Sequence, residues 1–329
     1  MSECIDLLRG PAKIASMKTT KKNSLVICRG LPGSGKSFWA KAQIATNKNI
    51  VRVNRDDIRT MLVPGYQHGN FRLEDVVTDA SQSAVKSALK AGFDAIVDDT
   101  NMSDRAVNGW VAIAKEAGVE LKVQDFTDVP VETCIQRDYM RGTQGQPWVG
   151  SQVIKKMALR TGITQWGKVI LCDLDGTLCD IAERRKICTM PNGKVNFNKF
   201  HDLDVLATDK VRHDIIKEVN EAKKAFGCKL IIVSGRSSAN VGDENKERVL
   251  NWSTNWLKNA GVQFDDILMR VQGDMRSDVE VKKEFLTLIG KENVIRVWDD
   301  RRQVVTYWRS EGLDVRVCDP NDPINGGDF

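Results

Sequence analysis

Two short stretches of this chain hold the residue types that handle phosphate. The first is Gly30-Leu-Pro-Gly-Ser-Gly35-Lys36-Ser37, which matches G-x-x-x-x-G-K-[ST] at every fixed position. Gly30, Gly33 and Gly35 carry no side chain, so together with Ser34 they can turn backbone N–H groups inward around phosphate oxygens. Lys36 can reach the terminal phosphates of a nucleotide, and the Ser37 hydroxyl can hold Mg²⁺. An apolar run, SLVICRG, leads into this loop and a helix-forming stretch follows it. That is the setting in which such a loop binds a nucleoside triphosphate. The second stretch is Asp173-Leu-Asp175-Gly176-Thr177, directly after KVILC. Carboxylates two apart at the end of a strand can face one site. One can attack phosphorus to form an aspartyl-phosphate, while the other protonates the leaving alkoxide and later activates water. Gly176 permits the tight turn, and Thr177 can bond the phosphate or fix the loop.

Each stretch has companions further along the chain. IVRVN runs into Asn54-Arg55-Asp56-Asp57-Ile58-Arg59. The carboxyl end of a parallel strand faces the ligand crevice. There Asp56 can accept the proton of an attacking hydroxyl and Arg59 can hold an anionic acceptor; equally, Asp56 and Asp57 can cap the next helix. Asp98 and Asp99 end FDAIVDDTN and can join a Mg²⁺ shell, orient an acceptor or start a helix. Arg137 and Arg141, four apart on a helical stretch, share a face. They can stabilise charge on a transferred phosphoryl group or be solvated surface arginines. For the second stretch, Ser234-Gly235-Arg236 ends KLIIV with a hydroxyl and a cation. Lys282, after Asp278, can neutralise a pentacoordinate intermediate. Asp299 and Asp300 end NVIRVW and can complete an oxygen shell for Mg²⁺ with Asp173 and Asp175.

These residues need strands that end side by side. From Ser24 the pattern alternates apolar strand-like runs with amphipathic helical ones, which predicts parallel sheets covered by helices on both faces. The alternation restarts after QWGK (165–168), and at 329 residues two domains are expected. The boundaries read as a flexible arm over 1–22, a first α/β domain over 23–165 and a second over 166–329. Residues 183–210 are polar and irregular and form a small cap or flap over a site. Net charge is +5 and 41% of residues are hydrophobic, the balance of a soluble enzyme. No apolar run is long enough for a membrane helix. Eight cysteines without a C-x-x-C pair and three histidines give no zinc-ligand spacing, so buried free thiols in a reducing cytoplasm are expected.

D-L-D-G-T, then S-G-R, Lys282 and Asp299-Asp300 resemble the haloacid-dehalogenase phosphatase superfamily. With a P-loop placed first, the chain resembles the polynucleotide 5′-kinase/3′-phosphatases of T-even-type bacteriophages. GxPGSGKSxW, NRDDxR, DTN, RGT, QGDxRxD, DDRxQVV and the terminal GDF carry that resemblance, which covers nearly the whole chain from Ser24. It implies a P-loop parallel-sheet kinase followed by a Rossmann-like phosphatase with a small cap. Lys36 and Ser37 then meet ATP phosphates and metal, Asp56 is general base for a 5′-hydroxyl, and Arg59 binds the acceptor's adjacent phosphate. Asp99 positions the acceptor, and Arg141, with Arg137, contacts the nucleotide phosphates. Asp173 is nucleophile and Asp175 acid–base. Arg184, Arg236, Arg270, Asp278, Lys282, Asp299 and Asp300 match further functional positions, and Thr177, Ser234, Gly235 and Arg276 join the substrate contacts. The arm over 1–22 has no counterpart, residues 185–205 match poorly, and Phe38 replaces a threonine.

The function so implied is nucleic-acid end healing. ATP phosphorylates a 5′-hydroxyl, and a 3′-phosphate, or a 2′,3′-cyclic phosphate, is removed. RNA or DNA ends are the substrates, an RNA ligase receives the product, and the resemblance implies a homotetramer. Two other functions fit the same residues. One is a nucleoside or sugar kinase fused to a small-molecule phosphatase, for which free nucleosides compete with oligonucleotides. The other is a nucleotide switch without turnover, against which the carboxylates at both sites argue.

Overall fold

The computed structural model describes residues 23–63 and 71–318; the arm over 1–22 and the terminal GDF lie outside the described residues. None of the described helices is long and apolar enough to cross a membrane. The described residues form two compact units, one of 23–28, 37–63, 71–99 and 104–124, the other of 29–36, 100–103 and 125–318.

The first unit is built on a four-stranded sheet. β1 (Ser24–Arg29) precedes α1 (Lys36–Thr46), and β2 (Ile50–Val53) precedes α2 (Arg55–Leu62) and α3 (Phe71–Lys90). β3 (Asp94–Val97) precedes α4 (Asp104–Ala117), and β4 (Glu120–Asp125) ends the series. The order is β2-β3-β1-β4, with β3 parallel to both neighbours. Ile27 and Val53 both stand opposite Val97, so β2 and β3 end level, two residues short of the end of β1, and the segments after the three strands leave one edge. Leu25, Ile27, Ala95 and Val97 are completely or almost completely buried, packed with Val85 and Leu89 of α3 and Trp110 and Ile113 of α4. Removing that apolar surface from water is what folds these βα repeats onto each other.

The second unit holds the glycine-rich loop, α5 (Val131–Thr143), α6 (Ser151–Arg160) and a five-stranded sheet. After β5 (Val169–Cys172) comes an insertion of β6 (Cys179–Asp180), α7 (Ala182–Cys188), α8 (Phe197–Phe200), α9 (Leu203–Leu206) and β7 (Lys210–Val211). This antiparallel pair with three short helices stands where a small cap is expected. The chain continues through α10 (His213–Phe226), β8 (Lys229–Ser237), α11 (Arg248–Asn259), β9 (Asp266–Arg270) and α12 (Asp278–Ile289). β10 (Val294–Asp299), α13 (Arg302–Ser310) and β11 (Val315–Val317) complete it. The sheet order is β11-β10-β5-β8-β9, and every pair is parallel. Strand alternation sends Ile170, Cys172, Leu230 and Ile232 to one face and Val169, Leu171, Ile231 and Val233 to the other, each face with its own helical cover.

α6 lies before the junction expected at 165–168, yet it packs on this sheet. Gln152 accepts from Met269 N at 2.8 Å and donates to Ile267 O at 3.3 Å. Its amide thus satisfies the outer edge of β9, which would otherwise present unpaired peptide groups. The described cysteines are free, and all but the half-buried Cys228 are buried.

Candidate active sites

Asp173 follows the fully buried strand β5, and its N–H continues the ladder to Trp298 O at 2.9 Å. Lys282, on α12 and 1% exposed, places Nζ 2.8 Å from Asp173 Oδ1 and 2.8 Å from Asp299 Oδ2. Asp278 lies one helical turn before it, at 3.6 Å. A capping box of Ser277 and Glu280 fixes the start of α12 and so the reach of both side chains. Asp299 also accepts from Trp308 Nε1 at 3.0 Å, and Thr177 donates to Asp300 Oδ1 at 2.9 Å. Thr177 therefore fixes the loop to Asp300.

Two glycines make this crowding possible. A Cβ on Gly176, where φ is +86°, would lie 2.0 Å from Asp300 Oδ2, and one on Gly235 would lie 1.8 Å from Asp278 Oδ1. Ser234, Gly235 and Arg236 fall where β8 loses register with β9, between Ser234 and Ser237. A bulge of this kind re-aims side chains, and here the Ser234 hydroxyl turns back to accept from Arg236 N at 3.1 Å.

Carboxylate oxygens of Asp173, Asp299 and Asp300 lie within 4.8 Å of one another, all three buried. Burial first, and the neighbouring Asp299 next, push the Asp300 carboxyl up to about 7. Burial likewise raises Asp173 well above the usual carboxylate range, against the pull of Lys282. Lys282 itself, despite burial, is raised by Asp173, Asp278 and Asp299. Hard oxygen donors with more negative charge than one lysine offsets suit a divalent cation such as Mg²⁺. Asp299 has a donor on each oxygen, Lys282 and Trp308 on Oδ2 and Arg301 N at 3.2 Å on Oδ1, so Asp173 and Asp300 are the better-placed ligands.

The carboxylate of Asp175 is gathered elsewhere, with Cys179 and Asp209. Arg184 and Arg236 both clamp its Oδ1, and Arg236 Nε reaches Oδ2 at 3.2 Å. Burial alone would raise this group; the two guanidinium groups instead hold it well below the usual range. The expected metal ligation by Asp175 is therefore not what the side chain does here, because two cations already occupy it. Asp209 backs both arginines, at 2.9 Å from Arg184 Nε and 3.2 Å from Arg236 Nη2, while Arg184 stacks on Phe200. Arg270 spends its guanidinium on the carbonyls of Gly235, Asp274 and Arg276. Arg276 is ion-paired to Asp274 and Glu284, each at 2.6 Å. Both thus brace backbone and surface in this structure, where substrate contact is expected.

In the glycine-rich loop, Lys36 folds across its own turn, with Nζ donating to Leu31 O at 2.7 Å and Gly30 O at 3.0 Å. Gly33 is demanded twice: φ is +81°, and a Cβ would lie 2.2 Å from Cys134 O of α5. Leu31 is buried against Cys134, Ile154 and Ala158, which seats the loop on α5 and α6. Arg137 Nη1 lies 3.5 Å from Ser34 O. Asp138, 1% exposed, clamps the Arg141 guanidinium and accepts from Gly150 N at 2.8 Å. Ser37 opens the body of α1, half-buried.

In the first unit the cap of α2 is Asn54, which accepts from Asp56 N at 3.0 Å and Asp57 N at 3.1 Å. That leaves the Asp56 and Asp57 carboxylates for other partners. Asp57 pairs with Arg52. Asp56 is exposed and receives Arg59 Nη1 at 2.5 Å. Arg59 is also held by Glu74 of α3, with Nε to Oε1 at 2.8 Å and Nη2 to Oε2 at 2.7 Å. Asp98 is buried under Arg52 and Asn54, a structural use. Asp99 accepts from Arg55 N at 2.9 Å, and burial raises its carboxyl to about 6.

Glu74, Asp138, Asp209 and Trp308 serve these sites without belonging to any sequence motif. Each acts through a partner chosen by the fold.

Residues 167–322 match the family described as the polynucleotide kinase PNKP phosphatase domain, and residues 25–163 match an AAA domain. A protein of Autographa californica nuclear polyhedrosis virus, named as a putative bifunctional polynucleotide kinase/RNA ligase, is 26% identical over 321 residues, which is 89% of this chain and 42% of that one. An L-seryl-tRNA(Sec) kinase of Methanococcus maripaludis is 29% identical over 136 residues, 40% of this chain and 50% of that one. The chain thus spans half or less of the length of these two relatives. A chain from the structure of the Pnkp1/Rnl/Hen1 RNA repair complex is 28% identical, with 96% of this chain and 100% of that chain covered and a TM-score of 0.40. This chain is an α/β protein whose first half matches an AAA domain carrying a P-loop and whose second half matches a haloacid-dehalogenase-type phosphatase domain.

Proposed function

We propose that this chain heals nucleic-acid ends, adding phosphate to a 5′-hydroxyl from ATP and removing phosphate from a 3′ end. The observation that carries the reading is a buried Asp173–Lys282–Asp299–Asp300 cluster in one chain with a P-loop. One site is chemically equipped to take phosphate off and the other to put it on. The match of residues 167–322 to a polynucleotide kinase phosphatase domain supports a polynucleotide substrate over a metabolite.

In the 3′ reaction Asp173 attacks phosphorus, and Lys282 stabilises the charge that gathers on the equatorial oxygens. Asp173 and Asp300 would hold Mg²⁺, which supplies charge neutralisation at the phosphoryl oxygens when bound. Asp175 must carry a proton to the leaving 3′ oxygen, yet Arg184 and Arg236 hold it as the carboxylate. Incoming phosphate oxygens compete for these two guanidinium groups, which frees Asp175 to take up a proton. In the 5′ reaction Lys36, Arg137 and Arg141 neutralise the ATP phosphates, and Ser37 would hold the metal that accompanies them. Asp56 accepts the hydroxyl proton, Arg59 binds the acceptor's phosphate and Asp99 orients it.

A 5′-phosphate beside a 3′-hydroxyl is what a ligase joins, so an RNA ligase is the proposed recipient, in the cytoplasm. The viral relative's kinase/RNA ligase name supports that hand-off. A homotetramer is the proposed assembly. The test is transfer of labelled γ-phosphate to RNA, DNA and free nucleosides compared side by side. Oligonucleotide acceptors should win by at least about tenfold in kcat/KM; equal or better transfer to nucleosides would move the chain to a metabolic kinase.

A further inference from the structure

We infer that the loop over residues 240–247, which follows the Ser234-Gly235-Arg236 strand end, is a positioning element for Arg141, so that ATP binding depends on the phosphatase fold. The inference rests on reading Arg141 as a contact to the ATP phosphates.

The connection can be followed atom by atom within the second unit. Arg141 is clamped by Asp138, and Asp138 also accepts from the N–H groups of Val149 and Gly150, at 3.1 and 2.8 Å. Asp138 therefore couples the arginine to the turn between α5 and α6. That turn is held from the other side. Lys246 Nζ donates to Trp148 O at 2.6 Å and stands 5.7 Å from the Trp148 ring centroid. Glu247, 7% exposed, accepts from Ser151 N at the start of α6.

Trp148 in turn lies on the residue after Arg141. A Cβ on Gly142 would come within 2.6 Å of the indole, so glycine is needed for the ring to sit there. Tyr139 meets the same ring edge-on, with centroids 6.1 Å apart. The loop is itself rigidly based. Gln272 donates to Asn240 O at 2.6 Å and Asp243 O at 2.9 Å, and Asn240 donates to Asp202 of the cap at 3.1 Å. A buried charged group reaching a backbone N–H, and a lysine on a carbonyl and an aromatic face, are strong fixed contacts. They act on the exposed end of an arginine-bearing helix whose last turn holds Gly142 and is followed by Gly145.

Lys246→Ala removes the clamp without touching a residue assigned to either reaction. ATP affinity is read by titration calorimetry in the presence of Mg²⁺, with KM and kcat of phosphoryl transfer alongside. ATP affinity should fall about tenfold, the scale of loosening one charge-assisted contact, with KM for ATP rising in step. The kcat and 3′-phosphate release should stay within about twofold, since ground-state and transition-state binding of ATP are weakened equally. Lys246→Arg, which can donate to the same carbonyl and stack on the same ring, should restore affinity. Unchanged ATP affinity in Lys246→Ala, or a joint fall of kcat and phosphatase activity that Lys246→Arg does not rescue, overturns the inference. A wild-type protein that binds no ATP defeats the functional reading as well. A wild type that binds ATP no better than Lys246→Ala defeats only the role of the loop.

Discussion

Replacing Asp300 by asparagine should make the metal-free protein more stable while ending 3′-phosphate release. In the fold, burial and Asp299 carry the Asp300 carboxyl from its ordinary 3.8 to about 7. The folded protein therefore holds this proton to a higher pH than the unfolded chain. The contribution of this group to stability is greatest below about pH 4, falls as pH rises toward 7 and stays low above it. Roughly three tenfold steps make the ionised carboxylate cost about 4 kcal/mol at pH 8, and less than half of that at pH 5. The asparagine side chain keeps an oxygen that can accept from Thr177, as Asp300 does, and removes the charge. Urea unfolding in chelator, followed by tryptophan fluorescence, reads the effect, since Trp298 and Trp308 are buried beside the cluster. Asp300→Asn should be more stable than wild type by about 4 kcal/mol at pH 8, with a gap less than half as large at pH 5. Added Mg²⁺ should then stabilise wild type and leave the variant nearly unmoved. A variant no more stable at pH 8, or a gap that ignores pH, would refute the reasoning about crowded carboxylates.

Three further outcomes are expected. Lys36→Ala should lower 5′ phosphoryl transfer at least about 100-fold, the scale for losing a preorganised charge at phosphate, with 3′-phosphate release unchanged in the same preparation. Gly235→Ala forces a methyl group to within 1.8 Å of Asp278 Oδ1. It should destabilise the phosphatase domain by about 1–3 kcal/mol and depress 3′-phosphate release, as thermal unfolding and a phosphate-release assay will show. The Asp99 carboxyl sits at about 6 because burial disfavours its charged form, so 5′ transfer should rise as pH passes through about 6. Asp99→Asn should flatten that limb of the kcat/KM profile, and a limb that persists would assign it to another group.

The parts of this molecule legible in the sequence are those whose chemistry is local. The glycine-rich loop announces itself by residue type and by its place between an apolar strand and a helix. Asp173 and Asp175 are marked by the strand VILC before them and the glycine after. Asp56 left two uses open by residue type, and the fold separates them by giving the cap of α2 to Asn54. Two elements were silent. β9 has only Ile267, Leu268 and Met269 between aspartates and Arg270, a run too short to tell a strand from a helical turn. α6 owes its position to one amide, Gln152, that meets a strand far away in sequence. The same holds for partners. Glu74 finds Arg59, Asp209 finds both arginines, and Glu247 finds Ser151 only once the chain is folded. Arg184 and Arg236 are recognisable as cations, but that they restrain Asp175 is a property of their shared burial and cannot be read from spacing.

The central claim is that one chain carries two phosphate sites of opposite and separable chemistry. Its most direct test uses one oligonucleotide with a 5′-hydroxyl and a 3′-phosphate, incubated with γ-labelled ATP and Mg²⁺ and resolved by end analysis. Wild type should yield a labelled 5′ end and a 3′-hydroxyl. Asp173→Asn should yield the same 5′ label with the 3′-phosphate intact. Loss of both reactions together in a folded Asp173→Asn protein, or continued 3′-phosphate release from it, would contradict the account.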